Sequence, residues 1–174
     1  MLVRGLLYFF ILAISPVITQ HALAAIIDEG DELYLQTSLY TAHFKPSEDH
    51  NNHQRLLNAE LVKASGWIFG LALFHNSFDQ PSQYLYAGYH WTLPRTRELA
   101  YFKLTAGLLH GYKGEHEDAV PFNDLGVSPA ILPSLGVKYK RLQSELTLFG
   151  TAGIMWSVGV NFPLGRQAPS RSSP

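Results

Sequence analysis

From residue 32 to residue 162 the chain alternates apolar and polar side chains with a period of two, in eight runs separated by clusters of Pro, Gly, Asn, Asp and charge. Alternation of this kind marks half-buried strands, and the clusters between them are turn chemistry. Strands are predicted over 33–44, 55–62, 67–76, 83–93, 99–112, 130–139, 142–149 and 153–162. The fifth run is the plainest. Phe102, Leu104, Ala106 and Leu108 share one face, while Tyr101, Lys103, Thr105 and Gly107 share the other. In the eighth, Ile154, Trp156, Val158, Val160 and Phe162 oppose Met155, Ser157, Gly159 and Asn161. The links after the second, fourth and sixth runs are short, and those after the first, third and fifth are longer. The short link at 150–152 breaks that rhythm.

Eight such strands predict an antiparallel transmembrane β-barrel of the outer membrane, with one face of every strand toward lipid and the other toward the lumen. A secreted water-soluble barrel or sandwich alternates in the same way. Two observations favour the membrane. Residues 1–24 have the form of a signal peptide: Arg4, an apolar stretch over 5–17, and Ala22-Leu23-Ala24 as a small-x-small cleavage site. The clean apolar face of the last strand ends on the aromatic Phe162. The expected organisation is a signal peptide over 1–24, a barrel over 25–162 and a disordered Pro- and Ser-rich tail over 163–174. Localisation follows as the outer membrane of a Gram-negative bacterium, after cleavage near Ala24.

Composition narrows the function classes. Charged residues make up 16% of the chain, against roughly 25% in soluble domains, as a hydrocarbon-facing exterior requires. With 13 basic and 14 acidic side chains there is no basic field for nucleic acid. The absence of cysteine removes disulfides and thiol chemistry. Eight strands enclose an interior filled by side chains, which argues against a transport pore.

Chemistry is expected at the strand ends beside the longer loops. His43 closes the first strand, and His75, Asn76 and Ser77 close the third, with Asp79 just beyond. Histidine beside a hydroxyl and a carboxylate is the equipment of acyl transfer. His50 and His53 with Glu48 and Asp49 read as a solvated loop, as do His116 and its acidic neighbours. Neither a metal nor another cofactor is expected. Lys45 and Lys113 are placed to meet lipid phosphates.

Three segments carry a family likeness: Gly66-Trp67-Ile68-Phe69-Gly70 through Phe74-His75-Asn76-Ser77-Phe78, then Tyr86-Ala87-Gly88-Tyr89-His90-Trp91, then Ser128-Pro129-Ala130-Ile131-Leu132-Pro133-Ser134-Leu135-Gly136-Val137. In order and spacing, over about 39–162, they resemble the lipid A palmitoyltransferase (PagP) family. That family carries Lys-Asp-Ser-Trp, then Ala-Gly-Tyr-Gly-Trp, then a proline-rich sixth strand. The resemblance implies an eight-stranded barrel that moves a palmitoyl chain from a glycerophospholipid to lipid A, with a His, an Asp and a Ser at its outer rim. Ser77 matches the serine. His43 corresponds to the histidine with an offset of two positions, which keeps the strand face. The chain departs from the family at Asn76, where the aspartate stands. It departs again at His90, which replaces a glycine deep in the acyl pocket beside Gly88. The helix before the first strand has no counterpart in 25–32, and the proline of the seventh strand is absent at Phe149-Gly150.

The resemblance thus implies catalytic roles for His43, Asn76 and Ser77, with His43 as general base, Asn76 as orienter and Ser77 as nucleophile or oxyanion support. Asp79 would supply the missing charge, Gly88 and His90 the acyl pocket, and Pro129 and Pro133 a lateral gate. The partners implied are lipopolysaccharide and glycerophospholipid, with the barrel a monomer. A non-catalytic lipid-binding or structural barrel and an outer-membrane deacylase or phospholipase remain as alternatives.

Overall fold

A computed structural model of the chain describes residues 27–45, 50–96 and 99–165. The expected signal peptide over 1–24 and the tail beyond 165 lie outside the described residues. Eight strands form one closed antiparallel barrel in chain order: β1 (Glu32–His43), β2 (Leu56–Val62), β3 (Trp67–His75), β4 (Pro81–Thr92), β5 (Ala100–His110), β6 (Val127–Tyr139), β7 (Leu142–Phe149) and β8 (Gly153–Pro163). A 3-10 turn over Gly114–Ala119 lies in the loop after β5. β7 has the predicted bounds, and all the strands predicted from alternation are present.

The exterior is apolar. Leu57, Leu71, Leu85, Leu108, Ile131, Leu135 and Leu146 all face outward and exposed. Near the short-turn end they give way to an aromatic band, in which Trp67 meets Tyr89, Tyr89 meets Trp91 and Trp91 stacks on Phe102. An apolar belt with an aromatic girdle is the surface of a barrel standing in a bilayer. The fold is a transmembrane β-barrel.

The interior carries the polar set. Lys103 from β5 sits between Glu60 of β2 and Glu145 of β7, with its Nζ 2.7 Å and 2.8 Å from their carboxylate oxygens. The Tyr86 hydroxyl donates to Glu60 at 2.7 Å and the Tyr101 hydroxyl to Glu145 at 2.8 Å. Two glycines make room for these rings. A Cβ at Gly70 would stand 2.3 Å from the Tyr86 ring, and one at Gly136 2.2 Å from that of Tyr101. The cluster plugs the bore about midway along the strands. At the short-turn end, Asp31 accepts the backbone N–H of Asp28 at 2.8 Å, that of Ala64 at 2.9 Å, and Lys63 Nζ at 2.5 Å.

Two departures from strict alternation shape the outer half. In β1 the register with β8 passes from Ser38↔Ser157 to Tyr40↔Trp156, leaving Leu39 as an extra residue. Such a bulge reverses which positions face inward. Tyr34 and Gln36 point into the bore below it and Thr41 above it. The second departure is β6, which begins at Val127 rather than at 130. Lys138 N–H donates to the Leu99 carbonyl at 2.7 Å, so even positions of β6 bond toward β5 and odd ones toward β7. Pro129 and Pro133 therefore turn their missing N–H away from β5, and that ladder runs unbroken to Val127. The β6–β7 ladder stops at Ser134↔Thr147, immediately before Pro133 would have had to donate.

Candidate functional site

The bulge at Leu39 turns His43 inward at the end of β1. The chain then loops out and returns along 50–55, tied to β1 by Thr41 N–H donating to the Asn52 carbonyl at 2.8 Å and to the next loop by Asn51 N–H donating to the Ser77 carbonyl at 2.9 Å. These ties bring together residues that stand 9 and 34 positions from His43. His43 Nδ1 lies 2.8 Å from Asn52 Oδ1, and His43 Nε2 lies 2.8 Å from Ser77 Oγ.

The partners fix the direction of the protons. Asn52 Oδ1 only accepts, so His43 Nδ1 carries hydrogen and the neutral ring presents the Nε2 lone pair to Ser77. From the other side, Thr41 Oγ1 donates to Gln54 Oε1 at 3.2 Å and Gln54 Nε2 donates to Ser77 Oγ at 3.0 Å. Ser77 thus receives a hydrogen bond from Gln54 and donates its own to His43. This is a hydroxyl, a base and an orienting amide in the geometry of an activated serine.

An aromatic stack covers the pair. The His50 ring lies 4.4 Å from that of His43, His50 meets Phe78 edge-on, and His116 stacks on Phe78 at 3.8 Å. His50 and His116 were expected to be solvated; both are partly buried in this stack. Among the described residues no group of three His, Asp or Glu is placed to hold a metal ion, and Glu48 and Asp49 lie outside them. Tyr112, beneath Phe78, is pushed up to about 12 by burial and stays neutral.

Below the pair a cavity of about 530 Å³ descends into the bore. Its upper walls are apolar, with Leu56, Phe74, Leu109, Leu132, Phe149 and Met155, and its floor is the Glu60–Lys103–Glu145 cluster. The lining also takes in Pro129 and Ile131. Ile131 faces outward, so the cavity reaches the wall of the barrel where β6 and β7 are unpaired.

The structure places the remaining expected residues elsewhere. Asn76 is fully buried and folds its own loop: its Oδ1 accepts Phe78 N–H at 2.9 Å and Gln80 N–H at 3.1 Å. It does not orient His43; Asn52 does. Asp79 is exposed at a φ of 57°; its backbone N–H donates to the Asn76 carbonyl at 3.0 Å, and its carboxylate forms no hydrogen bond among the described residues. Gly88 and His90 lie on β4 beyond Tyr86, on the far side of the charged floor, and do not line the cavity. Sequence reasoning missed Asn52 and Gln54. Both sit in a loop of Asn, His and Gln, where no periodicity separates a ligand from a solvated side chain.

No family profile matches the chain, and no curated protein does either. Among solved structures it is similar to a designed transmembrane β-barrel ("De novo design of transmembrane beta-barrels"), with 10% identity, 79% of this chain and 98% of that chain covered, and a TM-score of 0.48. No function comes with that likeness.

Proposed function

We propose that the chain is an outer-membrane acyltransferase that moves a fatty acyl group from a glycerophospholipid to lipid A. The observation that carries this reading is the Ser77–His43–Asn52 relay standing at the mouth of an apolar, dead-ended cavity. Ser77 Oγ attacks the ester carbonyl of the donor while its proton passes to His43 Nε2. That proton then leaves with the lysophospholipid hydroxyl. His43 next takes the proton of the acceptor hydroxyl, whose oxygen attacks the acyl-serine and restores Ser77. Asn52 holds the ring in its reactive tautomer throughout, as the asparagine of a Cys–His–Asn arrangement does. The outer-membrane location rests on the apolar belt together with the export signal expected over 1–24.

The depth of the cavity bears on the chain it takes. From Lys103 to Leu109 six residues at about 3.3 Å, tilted by about 40°, give a depth of about 15 Å. A zigzag chain of 1.52 Å bonds at about 111° rises about 1.25 Å per carbon, so about twelve carbons fit above the floor. The resemblance implies palmitate; the floor favours a shorter chain.

The test is lipid A mass spectrometry from cells with and without the gene, paired with purified protein given labelled phospholipid and lipid A. Added acyl mass that disappears in Ser77→Ala and His43→Ala is expected. An unchanged lipid A pattern, with no transfer in the purified system, would refute the reading. The half-buried Ser–His–Asn relay, which water reaches, also suits a phospholipase, in which water replaces the acceptor. Labelled fatty acid released regardless of lipid A would identify that reaction instead.

A further inference from the structure

On the outside of the barrel, across β1 to β5 at the end beside the long loops, lies a groove of about 800 Å³. It is separate from the bore. Leu57 and Leu73 line its membrane-ward part, both large and exposed. Arg55 and Lys113 line its rim with His75 and His110, and no acidic side chain lines it among the described residues. Neither Arg55 nor Lys113 forms an ion pair among those residues.

The rim is built rather than incidental. The Lys113 backbone is pinned in both directions by Gln80, whose Nε2 donates to the Lys113 carbonyl at 3.1 Å and whose Oε1 accepts the Lys113 N–H at 3.1 Å. The Arg55 carbonyl accepts His75 N–H at 3.0 Å. The Gln83 amide lies 3.1 Å from His110 Nδ1. The backbones that carry the two cations are thus fixed at the level where strand ends leave the apolar belt, which is where lipid phosphates lie. A free anion would not use the leucines, and a hydrocarbon chain would not use the cations.

We infer that this groove binds a phosphate-bearing membrane lipid, with its phosphate held by Arg55 and Lys113 and its acyl chains laid against Leu57 and Leu73. Gln54 and Leu56 line both the groove and the inner cavity, so the bound headgroup rests one wall away from Ser77. The inference does not depend on acyl transfer, because binding is measured without turnover.

The experiment is native mass spectrometry of the refolded barrel released from micelles containing phosphatidylglycerol and phosphatidylcholine of matched chains. Retention of one phosphatidylglycerol is expected in the wild type. In Arg55→Gln/Lys113→Gln, loss of two charge-assisted contacts lowers that retention about tenfold. Lys140→Gln/Arg141→Gln, which changes two exposed cations outside the groove at the β6–β7 turn, retains the lipid as the wild type does. A heat-modifiable gel band confirms that each variant is folded. Equal retention by the Arg55/Lys113 variant overturns the inference, as does displacement of the lipid by millimolar inorganic phosphate.

Discussion

Replacing Lys103 by Met removes the ammonium that lies between two carboxylates. Its Nζ is 2.7 Å from Glu60 and 2.8 Å from Glu145, and the three side chains are at most 4% exposed. Breaking a buried pair from one side costs about 3–5 kcal/mol, because the remaining charge has no partner. Here two like charges remain, but each carboxylate keeps a tyrosine hydroxyl as a donor. A destabilisation of about 3 kcal/mol is therefore expected, at the lower end of that range. With a urea slope of about 1–3 kcal/mol/M, the unfolding midpoint should fall by about 1 M or more. The assay is reversible urea unfolding in phosphatidylcholine vesicles, followed by tryptophan fluorescence and gel mobility. The neutral set Lys103→Met/Glu60→Gln/Glu145→Gln should recover to within about 1 kcal/mol of the wild type, since it leaves no buried charge alone. A wild-type midpoint for the single variant, or a triple variant as unstable as the single, would refute the reasoning.

Asn52→Ala should lower acyl transfer by about a hundredfold or more by releasing the histidine tautomer, whereas Asn76→Ala should lower the thermal midpoint and Asp79→Asn, which keeps a side chain suited to the left-handed backbone there, should change neither; turnover and melting of the three variants check this. Ala72→Leu, a buried cavity position on β3, should shift the preferred acyl chain toward shorter donors by about three carbons, one for each carbon added, as read from competing phospholipids of defined length. Pro133→Ala returns an N–H facing β7, opposite Leu148 when the register is continued by one pair, so amide exchange at Leu148 should slow and lateral uptake of phospholipid should fall. Burial works to raise the Asp31 carboxyl, yet the hydrogen bonds from Lys63 and from the backbone N–H groups of Asp28 and Ala64 hold it below its ordinary value. Its contribution to stability is therefore complete above about pH 4, the unfolded value, and is lost as the pH falls through the lower folded one. Asp31→Asn should flatten the acid limb of a midpoint-against-pH curve.

The strands were legible because one face of each must be apolar over its whole length, and period two follows from that alone. The tilt of Tyr86 and Tyr101 over glycines was not, since it depends on which strands are neighbours. The charged floor was half legible. Glu60, Lys103 and Glu145 each stand on the polar face of a strand, but only the register brings β2, β5 and β7 to one level. His43 and Ser77 were found through motif and position. Asn52 was not, because a single inserted residue at Leu39 decides which way the end of β1 faces, and the loop that carries Asn52 has no repeat to read. Asn76 misled for a related reason: an asparagine beside a serine serves equally well as an Asx turn, and the buried loop took it.

The wall of the barrel has two seams in its outer half, and they are not equivalent. The β1–β2 ladder ends at Gln36↔Asn58, but the strands stay stitched above it. Thr37 Oγ1 donates to the Leu56 carbonyl at 2.8 Å, Ser38 Oγ to that of Gln54, and Thr41 N–H to that of Asn52 at 2.8 Å. Each stitch replaces a ladder bond, so parting these strands would expose several polar groups to hydrocarbon. The β6–β7 seam has no such stitches among the described residues. Pro129 and Pro133 carry no donor there, so no bond is broken when a lipid chain presses between the strands. Separation along β6–β7 is thus the cheaper deformation, and it opens onto the cavity beneath Ser77. On the proposed acyl-transfer reading, a chain admitted there would arrive with its ester at the rim and its tail pointing toward Lys103, the orientation that attack by Ser77 would require.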